Sequence, residues 1–237
     1  MKKTIEAQRV FYDAMYRHRS DAQNIDQLCR LHVIRSFLRK LPPARRRILE
    51  LGCGTGWLSH ELSRFGQVTA VDLSPEAIKI AQATHPAVQF HAANFLEDPI
   101  LTQAYDLVVA SEVLEHLRRE DQLRFIRLAH ERLERGGFLI LTTPNRPVVA
   151  RFSISPQDLQ PIENWLTIDE LRSLLQPFFQ LLALRTTLFS QPFLRRHPFL
   201  NWLRYVCYCR LKALAVTENL LGWLPYGTYI CCLAQKN

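Results

Sequence analysis

At 237 residues, 48% of them hydrophobic and 22% charged, the chain can fill one α/β domain with appended elements but not two domains of ordinary size, and its balance excludes a long disordered stretch. Six cysteines, at 29, 53, 207, 209, 231 and 232, include no CxxC pair and have no histidine at zinc-finger spacing, which excludes a disulfide framework and a structural zinc. The net charge of +8 is uneven, with +8 in residues 1–47, −4 in 48–149 and +4 in 150–237, so the basic surplus lies on solvated helix faces or meets an acidic partner: a phosphorylated or carboxylated substrate, an anionic membrane, or RNA.

The opening MKKTIEAQ lacks the apolar stretch of a secretory signal, and no window of about eighteen residues is apolar enough for a membrane span. Both features point to the cytoplasm. Residues 5–17 put Ile5, Val10, Phe11, Ala14 and Met15 near one face of a helix, on which Tyr12 and Tyr16 serve either a substrate or the core. A second helix is expected over Asp26–Leu41, ended by Pro42 and Pro43, and the basic run Arg45–Arg47 leads into a strand over Ile48–Leu51. Gly52, Gly54 and Gly56 follow at alternate positions, three of only eight glycines in the chain, and an apolar helical pattern comes after them. Such a turn admits positive φ, removes the Cβ atoms that would hold a ligand away, and presents unpaired helix N–H groups.

Val68–Asp72 reads as a second strand, ending in an acid twenty residues after Gly52, where a carboxylate can accept both hydroxyls of a ribose. Ser74 and Pro75 are an N-cap and first-turn proline for the helix that follows. Val88–Asn94 and Tyr105–Glu112 are the third and fourth strands, the latter nearly continuous in apolar residues, as a strand covered on both faces should be. Asp121–Glu134 is helical and is stopped by Gly136 and Gly137. Phe138–Thr143 is the fifth strand, closed by Pro144 and Asn145. Alternating strands and helices predict a doubly wound, mostly parallel sheet. Pro147, Pro156 and Pro161 then mark a loop of about fifteen residues that covers the site. Thr167–Glu170 is a capping box, and Phe179–Phe189 and Thr228–Ala234 have strand character. Between these two strands lies Ser190–Gly227, read as a helical lid whose large apolar residues face the protein's own core, a second subunit, or the headgroup region of a membrane.

The GxGxG turn with Glu50 two residues before it, combined with Asp72, resembles the class I S-adenosylmethionine-dependent methyltransferases over Ile48–Asn145, most nearly the ubiquinone-type and related small-molecule enzymes. The resemblance implies a single domain over 1–237, with an N-terminal helical cap at 1–47, a cofactor core at 48–145 and a substrate side at 146–237. It also implies a seven-stranded Rossmann-like sheet with the last strand antiparallel. Glu50, Gly52, Cys53, Gly54 and Gly56 would take the methionine end of the cofactor, Asp72 and Leu73 the ribose, Asn94 and Phe95 the adenine, and Ser111 and Glu112 would close the pocket. Asn94 stands where the family usually has an acid, and its amide oxygen can accept from the adenine amino group in the same way.

Methyl transfer from a sulfonium is a direct displacement, so alignment dominates, and a hydroxyl acceptor also needs a base. His116 in EVLEHL is the candidate base; the plainer role is closing the pocket or capping the next turn. Glu112, Glu115 and His116 also resemble a divalent-metal site for magnesium, manganese or zinc, which would need a further ligand from elsewhere; EVLEHL is common where no metal is used, and no metal is assigned. Ser111, Glu112 and Val113 replace the Asn-Pro-Pro-aromatic motif of base methylation, which disfavours a base amino group but leaves ribose, protein and metabolites open; with no aromatic and basic RNA-binding signature, nucleic acid is the less favoured acceptor. The expected acceptor is a small molecule, lipophilic or anionic, methylated at oxygen. The alternatives are an RNA or protein modifier, and a cofactor-binding regulator without transferase activity.

Overall fold

The computed structural model describes residues 2–17, 25–42, 46–97, 103–151, 160–189, 198–199, 202 and 221–237. Its strands are β1 (Arg46–Leu51), β2 (Gly66–Asp72), β3 (Gln89–Ala92), β4 (Tyr105–Ser111), β5 (Leu133–Pro144), β6 (Phe179–Phe189) and β7 (Gly227–Lys236). Its helices are α1 (Lys2–Arg17), α2 (Ile25–Leu38), α3 (Trp57–Leu62), α4 (Pro75–Thr84), α5 (Arg119–Glu131), α6 (Arg146–Val149) and α7 (Ile168–Leu175), with a 3₁₀ turn at Leu114–His116. The strands form one sheet in the order β3-β2-β1-β4-β5-β7-β6. β1 to β5 run parallel to their neighbours, and β7 is antiparallel to both β5 and β6.

Alternation along the central strands explains the two cores. Leu49, Val108 and Leu141 face one side with Phe125 and Ile126 of α5 and Leu171 of α7, whereas Ile48, Leu107 and Ile140 face the other with Phe37 of α2, Leu58 of α3 and Ile78 of α4. With both faces covered, these strands carry apolar residues on both sides of the sheet, as in the run Leu107–Ala110. Among the described residues, no helix is long and apolar enough to cross a membrane.

Several expected boundaries move, each for a local reason. The helix expected over Asp121–Glu134 is α5, which begins at Arg119 and ends at Glu131, because Leu133 already pairs with Tyr105 of β4. Gly136, at φ +74°, lies inside β5, beside the register shift between Tyr105 and Leu107. The two glycines therefore kink a strand and do not stop a helix. The second helix stops at Leu38, after which Lys40 donates its N–H to the Phe37 carbonyl in a tightening turn. β3 is shorter than expected, leaving Asn94 just beyond its end, and β4 ends at Ser111. The proline-marked loop begins as a helix, α6, with Pro147 in its first turn, where a missing N–H costs nothing. The Thr167 capping box forms in both directions, at 3.1 Å and 2.7 Å. Most of the proposed lid at 190–227 lies outside the described residues, as do Pro43 to Arg45 and 152–159.

Candidate active site

Strand order reverses between β1 and β4, and a crevice forms at such a point beyond the carboxyl ends of the strands. A cavity of about 470 Å³ occupies it. Glu50, Gly52, Cys53, Gly54, Asp72, Leu73, Asn94, Phe95, Ser111, Glu112 and His116 all line this cavity. Gly56 is not in the wall; a Cβ there would come within 2.7 Å of the Phe90 ring and 3.1 Å of Ala81, so the absence of a side chain lets α3 close on β3 and α4.

The glycine turn is held by the backbone of the neighbouring strand. Gly52 and Cys53 both donate their N–H groups to the Val71 carbonyl, at 2.8 and 3.1 Å. Gly54 donates to one oxygen of Asp72 at 2.7 Å, and Ser74 donates to the other at 2.9 Å. Asp72 thus links two turns. Gly52 and Gly54 lie at φ +74° and +54°. A Cβ on Gly52 would stand 2.2 Å from Val113, and one on Gly54 would stand 2.7 Å from the Tyr16 hydroxyl. Helix α1 crosses this end of the cavity, with Asp13 accepting from the Ser74 hydroxyl.

Burial dominates the electrostatics. It pushes the carboxyl of Glu50 up to about 8 even though Ser59 donates a hydrogen bond to it. Burial also raises Asp72, against the Ser74 and Gly54 N–H donors that favour its charged form. Burial raises the Cys53 thiol as well, leaving it an inert neutral group. Among the described residues no cation acts on Glu50 or Asp72, so the glycine end of the cavity suits a positively charged group. At the far corner the Asn94 oxygen accepts from the Leu96 N–H at 3.2 Å, which fixes the amide orientation, while Nδ2 is buried without a partner. Among the described residues the polar atom left over at this corner is thus a donor, whereas the expectation from sequence used the amide oxygen as an acceptor. Phe95 stands beside it, edge-on to Phe125 at 4.9 Å.

The opposite end is made of side chains. Glu112 leaves β4 at φ +60°, an unusual conformation for a residue with a Cβ, and accepts from the Thr142 hydroxyl at 2.9 Å. Glu115 is 1% exposed and accepts from the Thr143 hydroxyl at 3.0 Å. Burial pushes both acids up to about 8. The Nδ1 of His116 lies 3.1 Å from the Ile162 carbonyl, and a carbonyl can only accept, so Nδ1 carries the hydrogen. Nε2 then holds the lone pair, 3.7 Å from a Glu115 oxygen. The ExxEH acids turn to different threonines, and among the described residues no group of three or more His, Cys, Asp or Glu could hold a metal.

Sequence reading missed Arg30 and Gln8, whereas the proline-marked loop expected over the site does bring Gln160 and Ile162 to the cavity wall. Gln8 donates to the His116 carbonyl at 2.7 Å, and Tyr12 donates to Gln160 at 2.7 Å. Arg30 was legible in part, because an arginine between Cys29 and Leu31 in an apolar helix is out of place on a buried face.

Residues 17–212 match the family model for a methyltransferase domain. A ubiquinone biosynthesis O-methyltransferase of Xanthomonas axonopodis pv. citri is 40% identical over 117 residues, covering 47% of this chain and 48% of that protein. The chain spans about half the length of the curated relatives it matches. Among solved structures, the N-methyltransferase NodS of Bradyrhizobium japonicum in complex with S-adenosyl-L-homocysteine superimposes with a TM-score of 0.67 at 14% identity, over 97% of this chain and 98% of that one. The [4+2]-cyclase SpnF does so with a TM-score of 0.61 at 19% identity, over 92% of this chain and 84% of that one. At such identities the likeness is one of fold, whereas the family match spans most of the sequence, and by it the chain belongs to the class I S-adenosylmethionine-dependent methyltransferases.

Proposed function

We propose that the protein methylates a hydroxyl oxygen of a small molecule with S-adenosylmethionine as donor. The observation that carries this reading is the imidazole of His116 in the cavity wall, its tautomer fixed by Ile162 so that Nε2 is free to take a proton. When bound, the cofactor supplies an electrophilic methyl group. The residues supply the rest. Glu50 and the Gly52–Gly54 turn hold the amino-acid end, Asp72 the ribose, and Asn94 with Phe95 the base. Nε2 of His116 accepts the hydroxyl proton, with the Glu115 carboxyl 3.7 Å from it. Tyr12 stays neutral, because burial raises its phenol. The relatives named as ubiquinone biosynthesis O-methyltransferases support oxygen as the target.

The test is incubation with labelled S-adenosylmethionine and a panel of hydroxylated aromatic compounds. Label should appear in an ether product, and His116→Ala should lower kcat by about 10²–10⁴-fold while leaving S-adenosylhomocysteine affinity unchanged. Transfer to RNA or protein with none to small hydroxyl compounds would overturn the reading. Cofactor binding with no transfer to any acceptor would mark a regulator instead.

A further inference from the structure

The acceptor end of the cavity contains a buried cation whose hydrogen-bonding capacity is unspent. Arg30, on α2, is 8% exposed and reaches the cavity wall. A guanidinium stays charged and carries five N–H donors in one plane. Among the described residues its partners are two. The flat face lies over the Tyr229 ring, 4.4 Å from the centroid, and the Glu112 carboxyl stands 3.9 Å away, beyond hydrogen-bond length. The buried Nε has no partner at all. Leaving such donors unpaired in a buried site is costly.

We infer that Arg30 anchors an anionic group of the acceptor, a carboxylate above all, and so turns the hydroxyl end of the molecule toward His116. Stacking on Tyr229 fixes the plane of the fork, and Tyr229 is itself held by a hydrogen bond to Asp26 at 3.0 Å. A planar carboxylate matches that fork with two parallel hydrogen bonds. Glu112 does not occupy the fork, because its carboxyl stands 3.9 Å from the guanidinium, too far for a hydrogen bond. Glu50, Asp72 and Glu112 in the same wall are acids, so an entering anion is drawn to the guanidinium. The substrate class that follows is a hydroxylated carboxylic acid. This rests on the methyltransferase reading above, from which its test is separable.

The experiment uses the full chain saturated with S-adenosylhomocysteine and titrates two matched probes, 3,4-dihydroxybenzoate and its neutral counterpart 3,4-dihydroxybenzyl alcohol. The benzoate should bind at least about tenfold more tightly to the unmodified protein, the worth of a charge-assisted hydrogen bond. Arg30→Gln should erase the preference, and Arg30→Lys, which keeps the charge without the fork, should retain part of it; both should bind S-adenosylhomocysteine as before. Equal binding of the two probes, binding of neither, or a preference that survives Arg30→Gln would overturn the inference. Loss of S-adenosylhomocysteine binding in the unmodified protein would instead defeat the functional reading on which it rests.

Discussion

The two ends of the cavity are built by different means. At the cofactor end, backbone does the holding: Gly52, Cys53 and Gly54 are tied to Val71 and Asp72 within two adjacent strands. At the acceptor end, side chains far apart in sequence meet. Gln8 reaches His116, Tyr12 reaches Gln160, Arg30 faces Glu112, and His116 reaches Ile162. A turn pinned by backbone bonds keeps its shape through most changes of sequence, whereas a wall of converging side chains changes with each substitution. In the proposed function, cofactor recognition therefore belongs to the sheet, and acceptor choice to the elements laid across it.

Asp72→Ala should break this division most severely. It removes the acceptor for two buried N–H groups, Gly54 and Ser74, each costing about 1–3 kcal/mol when unpaired, and takes away the ribose contact. Calorimetry should show S-adenosylhomocysteine affinity falling by about a hundredfold or more, with a lower Tm. If Asp72→Ala instead spared cofactor binding and abolished only acceptor turnover, the two ends would not be separable.

Asn94→Asp should have a smaller effect, of about tenfold, and its sign carries the information. An aspartate keeps the acceptor for the Leu96 N–H but replaces the unpartnered donor with an acceptor. Weaker S-adenosylhomocysteine binding would agree with a donor facing a ring nitrogen. Tighter binding would mean that the corner reads the adenine amino group after all.

The smallest effect is on stability against pH. Glu112 and Glu115 titrate at about 8 in the folded chain through burial, against an ordinary 4.5. The folded state thus holds protons that the unfolded chain has released, so their contribution is full below about pH 4.5 and is lost as pH rises through about 8. The Tm of the ligand-free protein should fall between about pH 6 and pH 9, by about 2–4 °C for each kcal/mol lost. Glu112→Gln, which stays neutral, should flatten that slope. A Tm that rises over the same range would contradict the burial of these acids.

The same division governs what the sequence reveals. Ile48–Leu51, the three glycines and Asp72 lie close together along the chain, and their spacing alone predicts a strand, a tight turn and a partner strand, all present in the fold. Thr167 and Glu170 are likewise local, and their capping box forms as expected. Gly136 and Gly137 misled because a glycine pair that ends a helix and one that kinks a strand look alike until Tyr105 is seen pairing with Leu133. Asn94 was placed correctly at the cavity, but which of its two polar atoms faces inward depends on the Leu96 N–H, two residues on. Arg30 and Gln8 meet the site only through the packing of α2 and α1 across the sheet, and no spacing rule connects them to His116 or Glu112.

An acid-walled cavity that takes a cationic cofactor should give up a proton as it fills. Titrating S-adenosylmethionine into the unmodified protein in buffers of different ionisation enthalpy should show one-to-one binding with net proton release near neutral pH, because the entering positive charge draws the proton from Glu50, whose carboxyl burial has raised to about 8. Binding without proton release would contradict the electrostatic account of the wall, and no heat and no thermal shift with either S-adenosylmethionine or S-adenosylhomocysteine would contradict the site itself.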